Sequence, residues 1–491
     1  MKKNTNFLAK LAFATLAALV WLPAQTAAAA GIAGSRPNIV LVVSDDQGYG
    51  DLGRHGNPIV QTPNLDRMYD QSVRFDDFHV SPTCAPTRAS LLTGRHEFKN
   101  GVTHTILERE RLNLQATTLA QVLKAAGYRT GIFGKWHLGD EAPYQPGRRG
   151  FEETFIHGAG GIGQTYAGTC GDAPGNRYFD PVILHNGAFE KTQGYCTDVF
   201  FRQALNWIDA VRANGPFFCY LPTNAPHAPL DVPPEYEKLY ASQVKPSAAR
   251  FLGMVTNLDE NVGKLLAHLN HLGIERQTLV IFMNDNGGTA GCEVFNAGMR
   301  GRKATAHNGG TRAMSLWRWP GTLRPATADA LTAHVDIFPT LAELAGTNLP
   351  KYLAARLDGF SLVPLLENPH ARWHEDRLLF THVGRWQAGA EPEKFGACSV
   401  RWKQYLLARE DARWALYDLK SDPGETRDLT ETQPDVVRRL AAVYDTWWDE
   451  VRPCFVNENA YQTAPKMNPF HTLYWRQYAG PGPNHVPPPN E

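Results

Sequence analysis

Three short, uninterrupted apolar runs constrain this chain more than any other feature: NIVLVV at 38–43, FFCYL at 217–221 and TLVIFM at 278–283. Each is strand-length, β-branched or aromatic, and shows no polar alternation, which marks strands buried on both faces. A fourth strand is expected around Thr130 to Phe133. Between them the period changes to that of helices. Thr62-Pro63 opens one through about Ser72, TTLAQVLKAAGY reads as a capped helix ending at Gly127, and apolar stripes run from Phe200 to Val211 and from Phe251 to Leu272. Buried strands alternating with helices predict an α/β fold with a large, mostly parallel sheet sandwiched by helices. After about Trp373 the texture changes: RWKQYLL and RWALYDL alternate, SDPGE is a turn, and Pro434 to Val451 carries an apolar stripe. These predict a smaller C-terminal subdomain with a short antiparallel sheet and a helix. The expected layout is 36–372 and 373–491 packed as one body, with a Pro-, Tyr-, Asn- and Gly-rich tail beyond Asn457 that wraps or frays.

Residues 1–30 read differently. Lys2 and Lys3 precede LAKLAFATLAALVWL, and PAQTAAAAG offers small-residue cleavage positions, the pattern of a signal peptide. The apolar run is short for a membrane span, and no later run reaches the length of about 18 residues that a span requires. The expectation is export to a periplasmic or secreted location, without a membrane partner after cleavage. The 49 basic and 49 acidic residues cancel, so no nucleic-acid partner is held by bulk charge. An oxidising compartment would leave at least one of the seven cysteines unpaired, with Cys170 and Cys196, flanking a Gly-rich loop, the natural disulfide guess. No C-x-x-C occurs, which argues against thiolate zinc sites.

The residues directly after the strands carry the chemistry. The first strand ends in Ser44-Asp45-Asp46 and the last in Asn284-Asp285-Asn286-Gly287-Gly288; the strand near 132 leads to Gly134-Lys135-Trp136-His137, and that at 217–221 to Pro226-His227. In open α/β sheets ligands bind beyond the carboxyl ends of the strands, so these residues are expected at one edge. Asp45, Asp46, Asp285 and Asn286 are hard oxygen donors suited to Ca²⁺ or Mg²⁺. Either pair alone would be an ordinary turn. Together, the carboxylates would repel one another unless a cation sat between them. Arg88, Lys135, His137, His227 and Lys303 form a cationic set that would cradle a tetrahedral oxyanion beside that metal. The substrate should therefore carry a compact negative ester.

The stretch SPTCAPTRASLLTGR places Cys84 at the mouth of a helix that Pro86 suits and Gly94 caps. There the helix dipole and Arg88 would favour negative charge on the thiol. Taken alone, such a cysteine is more often structural.

Cys84-x-Pro86-x-Arg88 followed by ASLLTGR resembles the signature of the type I, formylglycine-dependent sulfatases of the alkaline-phosphatase superfamily. LVVSDDQGYGDLG, TPNLDRM, GYRTGIFGKWHLG, APHAPL, VIFMNDNGG and LYDLKSDPGE resemble that family's blocks, in its order, from about Pro37 to Leu429. The resemblance implies that a formylglycine-generating maturation enzyme oxidises Cys84 to Cα-formylglycine. The hydrated aldehyde then supplies one hydroxyl to attack sulfur and a second to release sulfate. It further implies one Ca²⁺ held by Asp45, Asp46, Asp285 and Asn286 with modified Cys84 beside it. Arg88 and Lys135 would hold the diol, His137 would be the base for collapse, and His227 and Lys303 would bind sulfate oxygens and help protonate the departing alcohol. The implied substrate is an aryl or carbohydrate sulfate ester.

Two positions depart from the family pattern. His307-Asn308 stands where an aromatic-acid pair is usual, and Arg302 where glycine is common, changes that report either on substrate or on local packing. Two other activities fit the same residues: a phosphonate or phosphodiester hydrolase using the same nucleophile, and a catalytically silent Ca²⁺-dependent glycan binder if Cys84 stays a thiol.

Overall fold

Strand Asn38–Ser44 is central to a ten-stranded sheet because its residues are apolar on both sides of the pleat. Ile39, Leu41 and Val43 point into one core layer, and Val40 and Val42 into the other. The computed structural model describes residues 31–165, 168–464 and 468–480, so the signal-peptide expectation for 1–30 lies outside the described residues. Across the sheet the order of strands is 326–328, 73–75, 315–318, 278–284, 38–44, 217–222, 129–135, 153–157, 182–185 and 188–191. Its middle is parallel: 278–284, 38–44, 217–222, 129–135 and 153–157 all run the same way. Antiparallel strands appear only toward the two edges, at 315–318 and from 182 onward.

Helices cover both faces, as continuous apolar strands require. Helix Cys84–Thr93 lies on one side with Leu119–Ala125 and Ile337–Leu344; Pro63–Asp70, Cys196–Val211 and Pro246–His271 lie on the other. No helix among the described residues is long and apolar enough to cross a membrane.

A second sheet, antiparallel, joins 378–382, 398–402, 405–410 and 413–418. Helix Pro434–Val451 closes it with Leu440, Tyr444, Trp447, Trp448 and Val451, one stripe at helical spacing. Removing one of these indoles, as in Trp447→Ala, would cost about 3–5 kcal/mol. The tail wraps: helix Pro469–Gln477 sets Phe470 and Tyr474 against Phe189, ring centroids 6.0 and 5.5 Å away. The described residues from Ile32 onward form one compact unit.

The expected Cys170–Cys196 disulfide is not formed, and all seven cysteines are free thiols. Cys170 instead donates to Glu110 Oε1 at 3.2 Å and accepts from the Gly139 amide, while Cys196 begins a helix in the apolar core. Flanking a Gly-rich loop did not bring the two side chains together.

Candidate active site

Four parallel strands and one helix deliver their ends to one buried centre. Asp45 and Asp46 follow the first strand, Asp285 and Asn286 follow 278–284, Lys135 ends 129–135 with His137 two residues on, and His227 follows 217–222. Cys84 is the first residue of its helix and is 2 % exposed; Gly94 caps the far end in the left-handed region at φ 66°. Gly134, with φ 137°, lets Lys135 emerge where it does: a Cβ there would sit 1.9 Å from the Pro222 carbonyl oxygen.

Every residue expected at the site is in it, and the charges interlock. Lys135 Nζ donates to Asp45 Oδ2 at 2.6 Å. Arg88 donates to Asp285 Oδ2 through Nη2 at 2.8 Å and Nε at 3.2 Å, and its Nη2 lies 3.8 Å from Asp45 Oδ2. Lys303 Nζ is 2.6 Å from Asp46 Oδ1, which also accepts from Asn286 Nδ2 at 3.0 Å. His227 Nε2 lies 3.7 Å from Asp46 Oδ2. Burial pushes the Asp45 and Asp285 carboxyls up to about 6 despite Lys135 and Arg88. It acts on Asp46 in the same direction, but Lys303 and His227 outweigh it and hold that carboxyl below the usual range.

Donor chemistry fits a hard cation. Asp45 and Asp285 oxygens and the Cys84 sulfur lie within 4.8 Å of one another, as do atoms of Asp45, Asp46 and His227. Asp45 Oδ1 and Asn286 Oδ1 are buried and accept no hydrogen bond among the described residues. Buried oxygens of this kind are stabilised by an ion that takes their lone pairs.

Burial raises the Cys84 thiol, but Lys135 and Lys303 outweigh it and the net shift is downward. The two lysines are the largest charges acting on the sulfur, and the expected Arg88 interacts with it as well. His137 Nε2 meets the Thr105 carbonyl oxygen at 2.9 Å, and His227 Nδ1 meets that of Ala228 at 2.7 Å. A carbonyl only accepts, so both nitrogens carry protons, leaving Nδ1 of His137 and Nε2 of His227 with free lone pairs. Burial, reinforced by Lys135, holds His137 well below its ordinary pKa and so neutral.

A cavity of about 210 Å³ opens over Cys84, bounded by His137, His227 and Lys303 on the charged side and by Thr105, Ile106, Gln164 and Arg385 elsewhere. The last four carry no sequence motif. The departure at His307-Asn308 is packing: His307 Nδ1 pairs with Glu425 Oε2 at 2.5 Å, and the Asn308 amide donates to Glu425 Oε1 at 2.8 Å. Glu425 comes from the SDPGE turn, so these residues bolt the C-terminal subdomain to the site. Arg302, by contrast, is exposed and lines a neighbouring hollow that shares Lys303 and Arg385 with this cavity.

Fold and site together define an α/β enzyme with an Asp-rich centre able to hold a metal ion. The chain belongs to the sulfatase family of the alkaline-phosphatase superfamily, and it is a sulfuric ester hydrolase. Residues 37–347 match the family model described as Sulfatase, and 303–443 match that of the N-sulphoglucosamine sulphohydrolase C-terminal region. The chain is 33 % identical to human arylsulfatase A over 470 residues, covering 84 % of this chain and 88 % of the relative. It is also 33 % identical to N-acetylgalactosamine-6-sulfatase of Canis lupus familiaris over 403 residues, 74 % of each chain. Among solved structures, Ps i-CgsB in complex with k-i-k-neocarrahexaose superposes with a TM-score of 0.77 at 28 % identity, covering 91 % of this chain and 98 % of that one.

Proposed function

We propose that this protein is an exported sulfatase that hydrolyses sulfate monoesters, carbohydrate sulfates foremost, through a formylglycine made from Cys84. Names of the relatives support the saccharide class: one acts on N-acetylgalactosamine 6-sulfate and a solved neighbour holds a neocarrahexaose. The N-terminal pattern of residues 1–30 supports export. Cys84-x-Pro86-x-Arg88 is the segment a maturation enzyme would read, and the resulting aldehyde hydrate supplies both the attacking and the releasing hydroxyl.

The single observation that carries this reading is the convergence of three buried carboxylates and three cations on Cys84. Asp45, Asp46, Asp285 and Asn286 would hold Ca²⁺, which supplies Lewis-acid stabilisation of negative charge at the nucleophile. Without the ion, Asp45, Asp46 and Asp285 balance Arg88, Lys135 and Lys303; with it, the centre carries a net positive charge that suits an anionic ester. Arg88 and Lys135, both buried, would hold the aldehyde hydrate at position 84, and they are themselves fixed by the Arg88 Nη1 bond to the Lys135 carbonyl and the Lys135 bond to Asp45. His137 offers its free Nδ1 as the base that takes a proton when the ester group is released. Lys303 and His227 face the sulfate oxygens at the cavity wall and steer a proton toward the departing alcohol.

Mass measurement of the peptide containing Cys84, followed by turnover of paired aryl sulfate and aryl phosphonate esters, tests the proposal. Aldehyde at position 84 and dominant sulfatase turnover are expected. Dominant phosphonate turnover would instead assign the phosphonate or phosphodiester chemistry. An unmodified thiol throughout, with calcium-dependent saccharide binding and no turnover, would assign the glycan binder.

A further inference from the structure

The cavity over Cys84 does not end at the cationic wall. Lys303 and Arg385 also line a second hollow of about 340 Å³, which Arg302, Thr289, Ala290 and Glu293 complete. Arg385 and Arg302 are both exposed, and among the described residues neither guanidinium makes a hydrogen bond or ion pair. Glu293, the one acidic lining residue, faces Lys245 at 3.7 Å. Lys303 is already paired with Asp46, so the two arginines are the cations of this hollow left without a partner among the described residues, like charges whose proximity an arriving anion would relieve.

The backbone that carries Arg385 is held firmly on both sides. Arg109, fully buried, donates through Nη2 to the Gly384 carbonyl at 2.7 Å and through Nη1 to the Trp386 carbonyl at 3.0 Å, bracketing Arg385 on both sides. Its guanidinium lies 4.6 Å from the Trp386 ring centroid. Glu458 completes the clamp, accepting from Arg109 Nε at 3.2 Å and from Trp386 Nε1 at 2.7 Å. Gly384 has φ 72°, and a Cβ there would stand 2.0 Å from the Thr103 carbonyl oxygen, so the turn fits only one way. A backbone so fixed presents its arginine at one point of the rim, which lowers the ordering cost of binding. Arginine at such a point matches the planar, paired oxygens of sulfate or carboxylate.

We propose that Arg385, with Arg302 beside it, forms a subsite for a second anionic group, carried by the sugar next to the one whose sulfate is cleaved. The inference rests on the reading of the Cys84 cavity as the sulfate-ester site, and it narrows the substrate class to polyanionic saccharides. The second anion is a sulfate ester or a uronate carboxylate; both present the same oxygen pair.

Three saccharides matched in linkage test this: one with a single sulfate at the cleavable position, one with an added sulfate on the adjacent sugar, and one with a uronate there. For matured wild type, Arg385→Gln and Arg302→Gln, kcat/KM is measured on each and expressed as the ratio of dianionic to monoanionic substrate. Loss of one arginine–anion contact should reduce that ratio about 10- to 100-fold in Arg385→Gln, with a smaller loss in Arg302→Gln. Partial return of the ratio in Arg385→Lys is expected, because charge returns without the paired donors. The dianionic substrate whose advantage collapses identifies the anion. A ratio unchanged in Arg385→Gln, or a loss equal on all three saccharides, overturns the subsite. Calorimetric affinities of Cys84→Ala and of Cys84→Ala/Arg385→Gln for the same saccharides give the same ratio without turnover. The subsite is thus decided separately from the sulfatase reading, which fails on its own if matured wild type cleaves no sulfate ester.

Discussion

Lys135→Met tests whether the buried charges at Cys84 form one interdependent set. Lys135 Nζ sits 2.6 Å from Asp45 Oδ2, and neither side chain is exposed. At an effective dielectric constant of about 20, two unit charges that close attract by about 6 kcal/mol. Methionine fills similar volume and recovers the desolvation of the ammonium, so the net loss is smaller; breaking a buried pair costs about 3–5 kcal/mol. Arg88 Nη2, 3.8 Å from the same carboxylate oxygen, stays behind and keeps the loss near about 3 kcal/mol, the low end of that range. Urea denaturation in the presence of a chelator measures the loss without a contribution from bound metal. In the double variant Lys135→Met/Asp45→Asn no unpaired carboxylate remains, so the two changes should couple by about 1–3 kcal/mol. Additive losses, or a single-variant loss below about 1 kcal/mol, would refute the interdependence.

Three further outcomes rest on particular contacts. Cys84→Ser should abolish turnover while leaving the unfolding midpoint close to wild type, because the serine hydroxyl replaces the thiol in the same helix; turnover at the wild-type rate would remove position 84 from the chemistry. Asp285→Asn should weaken Ca²⁺ affinity and activity together, because it removes one charge beside the unsatisfied oxygens of Asp45 and Asn286; unchanged affinity by calorimetry would strike it from the metal ligands. Glu110 is pushed up to about 8 by burial, which outweighs the hydrogen bonds its carboxyl accepts from its own backbone and from Cys170. Its folded carboxyl keeps a proton that the unfolded chain loses near the ordinary value of 4.5, so this residue's contribution is fully present below that pH and is lost as pH rises toward 8. Glu110→Gln should therefore gain on wild type between about pH 5 and pH 8, by a few kcal/mol at most, and a pH-independent difference in denaturation would contradict the burial argument.

How much of the molecule is legible in the sequence depends on the range of the physics involved. The strands at 38–44, 217–222 and 278–284 are readable because burial on both faces leaves a local apolar run. Helix Pro434–Val451 is readable to the residue from its stripe and leading proline. The acidic and cationic residues that meet at Cys84 are legible as a group because most of them directly follow a strand and the parallel topology gathers strand ends. The largest charges acting on Cys84 are not, because Lys135 and Lys303 come from 51 and 219 positions away in the numbering of the sequence, beside the Arg88 of its own helix. The Cys170–Cys196 guess failed for a similar reason: a shared loop says little about where two side chains point. Arg385 itself carries no local pattern. Its role emerges only once Arg109 and Glu458, distant in the chain, are seen to clamp the turn that bears it.

A crystal structure of Cys84→Ala grown with Ca²⁺ and a sulfated disaccharide gives the most direct reading of where the chemistry happens. Metal density is expected among Asp45, Asp46, Asp285 and Asn286, with the sulfate against Lys303 and His227 and the neighbouring sugar directed toward Arg385. Saccharide seated instead in the larger groove lined by Arg312, Arg372 and Arg401, with no ion bound among those aspartates, would contradict the assignment.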